Sequence, residues 1–271
     1  MRTGVVGAGG RMGGWLLRHL RSLGHEAVPV DVKNGLLGFV RGLDLVVVSV
    51  PISVTPTIIH SIAPLMRRGA VLVEIASLKA GSHPALVEAA HFGVTPLCIH
   101  PMFGPSPDSL IGRVIAVIPV TDTEEEQRLA QQLFPGTVTI AIDAEQHDRC
   151  MATILSLPYA MNLALARVLG WENLALLSQM GGSTFALQYT LAQSVAGEDP
   201  SLIKDLLNEN TSLEPLIQVF IGSLEEVLEA SGDRDKFAAL HREIVETLSR
   251  DPSYSKADRS RRRAHSALMK A

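Results

Sequence analysis

A glycine-rich turn close to the N-terminus constrains the fold of this chain more than any other feature. Residues 3–6 predict a short strand, and the turn Gly7-Ala8-Gly9-Gly10-Arg11-Met12-Gly13 follows it directly. Apolar residues at positions 12, 16, 17 and 20 then recur at helical spacing. Strand, glycine turn and helix in this order predict a dinucleotide site, because glycines let backbone N–H groups approach a pyrophosphate at a helix N-terminus.

A second predicted strand, residues 26–31, ends in an acidic residue. Asp31 lies 18 residues after Gly13, close to the ~20 residues at which an acidic group binds the ribose 2′-hydroxyl of a dinucleotide. A carboxylate there favours NAD over NADP, because it repels the 2′-phosphate, and Lys33 weakens that preference without reversing it. The alternative interpretation is that Asp31 only caps the next turn.

The rest of the chain alternates between strands and helices at first and then becomes helical. Further apolar runs predict strands at residues 44–50, 70–75, 96–99, 114–118 and 138–142. This pattern is typical of an α/β fold with a Rossmann-type, doubly wound parallel sheet. Only helices are predicted after Asp143. We therefore expect an NAD(P)-binding Rossmann domain at residues 1–143 and an all-helical C-terminal domain at residues 144–271.

One predicted helix of the second domain, residues 145–169, is apolar on nearly every face. A helix that is hydrophobic all round is normally buried. Roughly 125 residues of helices are too few to cover it alone, so we expect a homodimer formed through the helical domain.

Composition excludes several classes of protein. The formal net charge of −4 disfavours a nucleic-acid partner, and no apolar run approaches the ~20 residues of a membrane span. The first strand begins at once, which leaves no room for a signal peptide. Cys98 and Cys150 lack metal-ligand spacing, so free thiols and no metal are expected. These features predict a cytoplasmic protein that binds a small-molecule substrate.

One histidine stands where an active site is expected. Residues 96–99 predict a strand, and His100 follows it, ahead of the stiff turn that Pro101 begins. Ligands of open α/β sheets bind beyond the carboxyl ends of the strands, and an imidazole can accept a proton near neutral pH. His100 is therefore a candidate general base, with a structural strand-capping histidine as the alternative.

Several segments together resemble the prephenate and arogenate dehydrogenases of tyrosine biosynthesis. They are the glycine turn at 7–13, Ser49-Val50-Pro51-Ile52, Ile75-Ala76-Ser77-Leu78-Lys79, His100-Pro101-Met102-Phe103-Gly104-Pro105, Glu145-Gln146-His147-Asp148 and Asp199-Pro200. The resemblance implies a Rossmann domain followed by a helical domain that dimerises. It also implies oxidation by NAD(P)⁺ coupled to decarboxylation, which gives 4-hydroxyphenylpyruvate from prephenate or tyrosine from arogenate.

The resemblance also implies roles for individual residues. His100 would take the proton of the C4 hydroxyl, and Ser77 would relay between substrate and nicotinamide, unless it is only a helix N-cap. Lys79, His147 and Arg149 are the candidate substrate contacts, with a solvated surface role as the alternative for Lys79 and His147. The candidate cofactor-binding residues are Gly7, Gly9, Gly10, Arg11, Met12, Gly13, Asp31, Ser49, Val50 and Pro51.

One departure from the family pattern keeps the substrate open. Members of the family place an arginine on a helix of the second domain to bind the ring carboxylate, but no arginine stands between Arg167 and Arg234. Either another cation, such as Arg113, Arg149 or Lys204, holds the carboxylate, or the substrate differs. Prephenate is the leading candidate, with arogenate or a modified cyclohexadienyl acid as alternatives. A nucleotide- or S-adenosylmethionine-binding protein without redox chemistry is the alternative of another class.

Overall fold

Seven strands pair into one sheet in the computed structural model, which describes residues 1–30, 36–105 and 107–270. The strands are β1 (Arg2–Val6), β2 (Glu26–Val30), β3 (Leu45–Val48), β4 (Val71–Glu74), β5 (Thr95–Pro101), β6 (Val114–Val117) and β7 (Val138–Ala141). Their order in the sheet is β2-β1-β3-β4-β5-β6-β7. The chain therefore reverses its direction of travel across the sheet between β1 and β3, which is where a doubly wound sheet opens its ligand crevice.

The last two strands run against the other five. β1 to β5 are parallel, whereas β6 pairs antiparallel with β5 and parallel with β7. A doubly wound parallel sheet was expected; its first five strands follow this pattern, and the reversal of β6 and β7 was not foreseen. The segment between β5 and β6 contains no helix in its described residues, and a parallel return would need a crossover of a dozen or more residues, usually a helix. The Rossmann-type sheet and the helical region that follows it are confirmed.

Twelve α-helices accompany the sheet in the described residues. They are α1 (Arg11–Ser22), α2 (Thr55–Ile62), α3 (Ser82–Ala90), α4 (Thr123–Leu133), α5 (Ala144–Met151), α6 (Leu157–Leu169), α7 (Leu174–Met180), α8 (Ser183–Ala196), α9 (Pro200–Asn208), α10 (Leu213–Ala230), α11 (Arg234–Leu248) and α12 (Ala257–Leu268). Successive strand residues, such as Val47 and Val48, belong to two different apolar clusters. Side chains of α1 and α4 complete one cluster and those of α2 and α3 the other. Both faces of the sheet are therefore covered, as its continuous apolar strands require.

Contacts divide the chain into two units. The first comprises Met1–Ala152 and Pro200–Thr211, and the second comprises Thr153–Asp199 and Ser212–Ala271. The contacts thus divide the chain after Ala152 and place α9 in the same unit as the sheet. The division into functional domains between residues 143 and 144 stays a prediction. Within the first unit, Asp205 of α9 accepts hydrogen bonds from the backbone N–H (3.0 Å) and the hydroxyl (2.9 Å) of Ser53.

The second unit is built from helices that pack on one another. α6 contacts α8 and α10, α8 contacts α12, and α10 contacts α11. Gln188 of α8 donates a hydrogen bond of 2.9 Å to Asn162 of α6, and Arg261 of α12 bonds to Ser183 at the start of α8. These long-range contacts hold the C-terminal helix in place.

The predicted helix at 145–169 is divided by a π-helical turn. Ala152–Ser156 form this turn, and α6 begins directly after it with Pro158 in its first positions. Proline has no N–H to continue an α-helical ladder but is tolerated in a first turn, so the irregularity falls just before Pro158. By length and composition alone, the stretch Ala144–Leu169 could also cross a membrane, a test that core helices of soluble proteins pass as well.

Candidate active site

Two glycines of the N-terminal turn are required by close backbone contacts. Gly7 has a φ of +81°, and a Cβ built on it would lie 2.0 Å from the carbonyl oxygen of Ser49. A Cβ on Gly13 would lie 2.2 Å from the carbonyl oxygen of Gly7. The backbone N–H of Gly10 donates to that same carbonyl at 3.0 Å. Any side chain at Gly7 or Gly13 would therefore force α1 away from the ends of β1 and β3.

The turn fits the pyrophosphate of a dinucleotide. Gly9 and Gly10 are exposed, and a Cβ on Gly9 would meet no atom within 4 Å, so the backbone there is open to a ligand. Gly10 is the N-cap of α1, whose first turn contains no acidic residue. Backbone N–H groups and the positive end of the helix dipole therefore face this opening without a competing carboxylate.

The other predicted cofactor residues lie in three places. Ser49, Val50 and Pro51 follow β3 beside Gly7, and the backbone N–H of Ser49 donates to the carbonyl of Val6 at 2.9 Å. Arg11 is exposed at the start of α1, whereas Met12 is half-buried against the apolar cluster below. Asp31 lies outside the described residues. The sheet thus brings the glycine turn and the segment after β3 together, and the cofactor roles of these residues stay predictions.

His100 lies near the carboxyl end of β5 and belongs to a chain of three polar side chains. It is 7% exposed, and its Nδ1 lies 3.1 Å from Nε2 of His147. Nδ1 of His147 in turn lies 2.8 Å from Oδ1 of Asp148. Both His147 and Asp148 are buried and belong to α5. The strand-end position predicted for His100 is therefore observed, and the structure adds two partners behind it.

Asp148 is held by backbone groups from the loop after β4. The backbone N–H of Lys79 donates to both carboxylate oxygens, at 2.9 and 3.0 Å, and that of Ala80 donates to Oδ2 at 2.8 Å. The side-chain amide of Asn210 donates to the backbone carbonyl of Asp148 at 2.9 Å. These bonds fix the carboxylate relative to the sheet, since the loop itself is anchored at β4.

A buried ion pair lies next to His100. The fully buried ammonium of Lys79 bonds to the equally buried carboxylate of Glu74 and donates to the carbonyl of Ile99 at 2.7 Å. Cys98 donates its thiol hydrogen to the same carboxylate at 2.8 Å. Burial, the positive charge of Lys79 and the neighbouring His147 hold the pKa of His100 well below its usual 6.5. His100 is therefore neutral at neutral pH and can accept a proton.

The surroundings of Lys79 and His147 do not fit the substrate contacts predicted for them. The Lys79 side chain is fully buried, and its ammonium is bonded to Glu74 and Ile99, so it is not available to a substrate. His147 is 1% exposed, and both of its ring nitrogens face partners inside the protein. Each side chain instead supports His100 from within the fold.

Arg149 and Ser77 remain accessible. Arg149 is exposed on α5 and bonds to Glu145 at 2.7 Å. Ser77 is half-buried in the loop after β4, which pairs with β5, the strand of His100. The alternative that Ser77 caps a helix is wrong, because α3 begins at Ser82 with Gly81 as its N-cap.

Sequence reasoning missed Glu74 and Asp148 as members of the site. Glu74 ends an otherwise apolar, buried strand, and a carboxylate in that position needs a partner. Asp148 directly follows His147, so one α-helical turn presents both. Both signals were present in the sequence, but neither indicates which distant residue is the partner.

Two family models match this chain. Residues 24–137 match "Prephenate dehydrogenase, nucleotide-binding domain", and residues 143–243 match "Prephenate dehydrogenase, dimerization domain". The glycine turn at 7–13 precedes the first matched residue. The prediction that the N-terminal domain binds a nucleotide is confirmed by the first match.

Curated relatives and solved structures are consistent with these matches. The Methanocaldococcus jannaschii protein "Probable arogenate/prephenate dehydrogenase" is 27% identical over 89% of this chain and 59% of its own length. The Streptomyces pristinaespiralis 4-amino-4-deoxyprephenate dehydrogenase is 30% identical over 89% of this chain and 88% of its own length. The chain spans about three fifths of the length of the first curated relatives it matches.

One solved structure illustrates the shared fold. Prephenate dehydrogenase from A. aeolicus, solved with hydroxyphenyl propionate and NAD⁺, has a TM-score of 0.71 to this chain at 20% identity. The alignment covers 93% of this chain and 99% of that one. At this identity the likeness establishes the fold alone.

Proposed function

The chain belongs to the prephenate dehydrogenase family, and from this premise we propose that it is an NAD-dependent prephenate dehydrogenase. The family is one of oxidoreductases. The observation that carries the proposal is the position of His100, neutral and nearly buried at the carboxyl edge of the sheet, with His147 and Asp148 behind it. A general base of this kind is what oxidation of a ring alcohol needs.

The first unit supplies the proposed cofactor site. NAD⁺, when bound, supplies the acceptor for the hydride that leaves the substrate. The backbone of Gly9 and Gly10 would bind the pyrophosphate at the start of α1, and Asp31 would accept hydrogen bonds from the ribose hydroxyls. Ser49, Val50 and Pro51 would line the crevice beside Gly7. A carboxylate at Asp31 favours NAD over NADP, because it repels a 2′-phosphate.

His100 has the central role in the proposed reaction. The C4 carbon of prephenate loses a hydride, and its hydroxyl proton passes to the imidazole of His100. The bond between the ring and its carboxylate breaks, its electron pair enters the ring, and CO₂ leaves. 4-Hydroxyphenylpyruvate is the product. His100 can take the proton because burial and the charge of Lys79 keep it neutral, and Ser77 would orient the C4 hydroxyl from the adjacent loop.

Cations for the two substrate carboxylates are the open part of this proposal. Arg149 is the predicted candidate, because it is exposed on the same helix as His147 and Asp148. Its bond to Glu145 joins two exposed side chains, and such a pair contributes little stability. A substrate carboxylate could therefore replace Glu145 at small cost.

We also propose a homodimer formed through residues 144–271. Large apolar side chains of the second unit are exposed in the single chain, among them Val168 at 61%, Val219 at 64% and Leu228 at 64%. Exposed apolar side chains of this size favour an interface, and the second matched family model is named for dimerization. A second copy would cover the apolar part of Ala144–Leu169, so no membrane is needed to bury it. We propose a cytoplasmic enzyme without a nucleic-acid partner.

A second candidate substrate is 4-amino-4-deoxyprephenate. The relative named for that substrate aligns over 88% of its own length, whereas the M. jannaschii protein and two proteins named "T-protein" align over about three fifths of theirs. The absence of an arginine between Arg167 and Arg234 also favours a variant substrate. Arogenate is the remaining candidate.

One experiment tests these assignments. The purified protein is assayed for reduced nicotinamide with prephenate, arogenate and 4-amino-4-deoxyprephenate, each with NAD⁺ and with NADP⁺. The highest kcat/KM with prephenate and NAD⁺ is the expected result. A higher value with the amino compound would establish the second candidate. Turnover of none of the three would refute a dehydrogenase of this substrate class.

A further inference from the structure

We propose that Asp148 is a positioning residue that sets the proton positions of both His147 and His100, so that Nε2 of His100 is the atom that receives the substrate proton. This inference rests on the proposed function, because it assigns the basic atom of that reaction. Its evidence is the hydrogen-bond geometry behind His100, which lies entirely within the first unit.

Asp148 can only accept hydrogen bonds in this chain of residues. Its carboxylate receives the backbone N–H groups of Lys79 and Ala80, at 2.8 to 3.0 Å. All three bonds use the carboxylate as an acceptor, and an ionised carboxylate has no hydrogen to donate. Nδ1 of His147, 2.8 Å from Oδ1, must therefore carry a proton and donate it.

The direction of the second bond follows from the first. A neutral imidazole has one N–H and one acceptor nitrogen. Because Nδ1 of His147 is the donor, its Nε2 is the acceptor, and it faces Nδ1 of His100 at 3.1 Å. Nδ1 of His100 is therefore protonated. The lone pair of His100 is left on Nε2, where a base needs it.

Nε2 of His100 is also the ring nitrogen that a substrate can reach. No residue of the described chain forms a hydrogen bond with it. No buried side-chain nitrogen or oxygen in that part of the chain lacks a hydrogen-bond partner. His100 as a whole is 7% exposed, and Nε2 is the ring nitrogen that is not engaged by His147. When Nε2 accepts a proton, the positive charge is stabilised through His147 by the carboxylate of Asp148.

Asp148→Asn reverses this order without changing the size of the side chain. The amide oxygen can replace Oδ2 and keep the N–H of Ala80, which leaves the NH₂ group opposite Nδ1 of His147. That nitrogen must then accept, Nε2 of His147 must donate to Nδ1 of His100, and the proton of His100 moves to Nε2. The base is then in the wrong tautomer.

The test compares Asp148→Asn with Glu125→Gln, a carboxylate-to-amide change on the surface of α4. We expect Asp148→Asn to lower kcat by about 10²–10⁴-fold, as wrong-tautomer variants of histidine bases do, with an unchanged NAD⁺ dissociation constant. Glu125→Gln should retain full activity. In the His147→Gln background, Asp148→Asn should cost little further activity, because Asp148 acts through His147.

Nitrogen-15 NMR of the histidine rings provides a readout that needs no substrate. In the wild type, the protons are expected on Nδ1 of His100 and Nδ1 of His147, and in Asp148→Asn on Nε2 of both. A wild-type His100 protonated on Nε2 would overturn the inference, and so would a folded Asp148→Asn enzyme with normal kcat. If the wild type turns over none of the substrates, the proposed function fails, but the NMR result still decides the role of Asp148.

Discussion

Replacement of His100 by asparagine tests the proposed base directly. The asparagine amide can take the place of the imidazole Nδ1 and donate to Nε2 of His147, which lies 3.1 Å from it in the wild type. No atom of asparagine accepts a proton near neutral pH. Loss of a general base lowers kcat by about 10²–10⁴-fold, which corresponds to about 2.7–5.4 kcal/mol in activation free energy.

The pH dependence gives the same prediction a second readout. Burial, Lys79 and His147 hold the pKa of His100 well below 6.5. The wild-type kcat/KM should therefore stay level as the pH falls through about 6.5 and decline only at lower pH, and His100→Asn should lack this decline. The unfolded chain binds a proton at His100 near pH 6.5, and the folded chain does not. The free energy of unfolding of the wild type should therefore decrease as the pH is lowered past about 6.5. This loss should be smaller in the variant.

The measurements are kcat/KM against pH, the thermal midpoint and the NAD⁺ dissociation constant. His91→Asn, at the exposed C-cap of α3, is the matched control, and it should match the wild type in all three. A well-folded His100→Asn enzyme with unaltered kcat would refute the reasoning. Joint loss of stability and NAD⁺ affinity with intact kcat would instead identify a strand-capping histidine.

Three further predictions concern the cofactor and the assembly. The kcat/KM with NAD⁺ should exceed that with NADP⁺, and Asp31→Ala should narrow the difference; equal values in the wild type would contradict the ribose role. Gly13→Ala should raise the NAD⁺ dissociation constant at least about tenfold, or 1.4 kcal/mol, because its Cβ would lie 2.2 Å from the carbonyl oxygen of Gly7. The control Gly222→Ala places its Cβ in open space and should leave the dissociation constant unchanged. Calorimetric titration measures both. Light scattering at micromolar concentration should give a dimer that Leu228→Glu weakens, whereas a wild-type monomer would exclude the proposed interface.

Much of the fold could be predicted because it follows from local patterns. Apolar runs predicted every strand of the sheet. Local signals also mark helix ends, since Asp122 caps α4 by accepting from the N–H of Glu125. The direction of β6 and β7 was missed, because an apolar run has no orientation. The arginine-rich segment after residue 256 forms α12, which packs on α8, a contact that its charged sequence does not indicate.

In the candidate site too, local features could be predicted from the sequence and long-range contacts could not. His100 was predicted from its place after a strand, which depends only on neighbouring residues. Its partners depend on contacts between segments far apart in sequence: His147 is 47 positions away, and Asp148 is 69 positions from the Lys79 N–H that binds it. Lys79 resembles a solvent-exposed cation in the sequence, and only the folded chain reveals that Glu74 neutralises it in the interior.

The first unit cannot finish folding in the order in which its residues leave the ribosome. Ser53 binds Asp205, 152 positions later, and Asp148 binds the side chain of Asn210. Residues 153–199 must therefore be synthesised before the loop after β3 acquires its partner, and contacts of such long range slow folding. Cleavage after Ala152 would leave the nucleotide-binding sheet without the segment that anchors the Ser53 loop. We therefore expect the two halves of this chain to be expressed well only together.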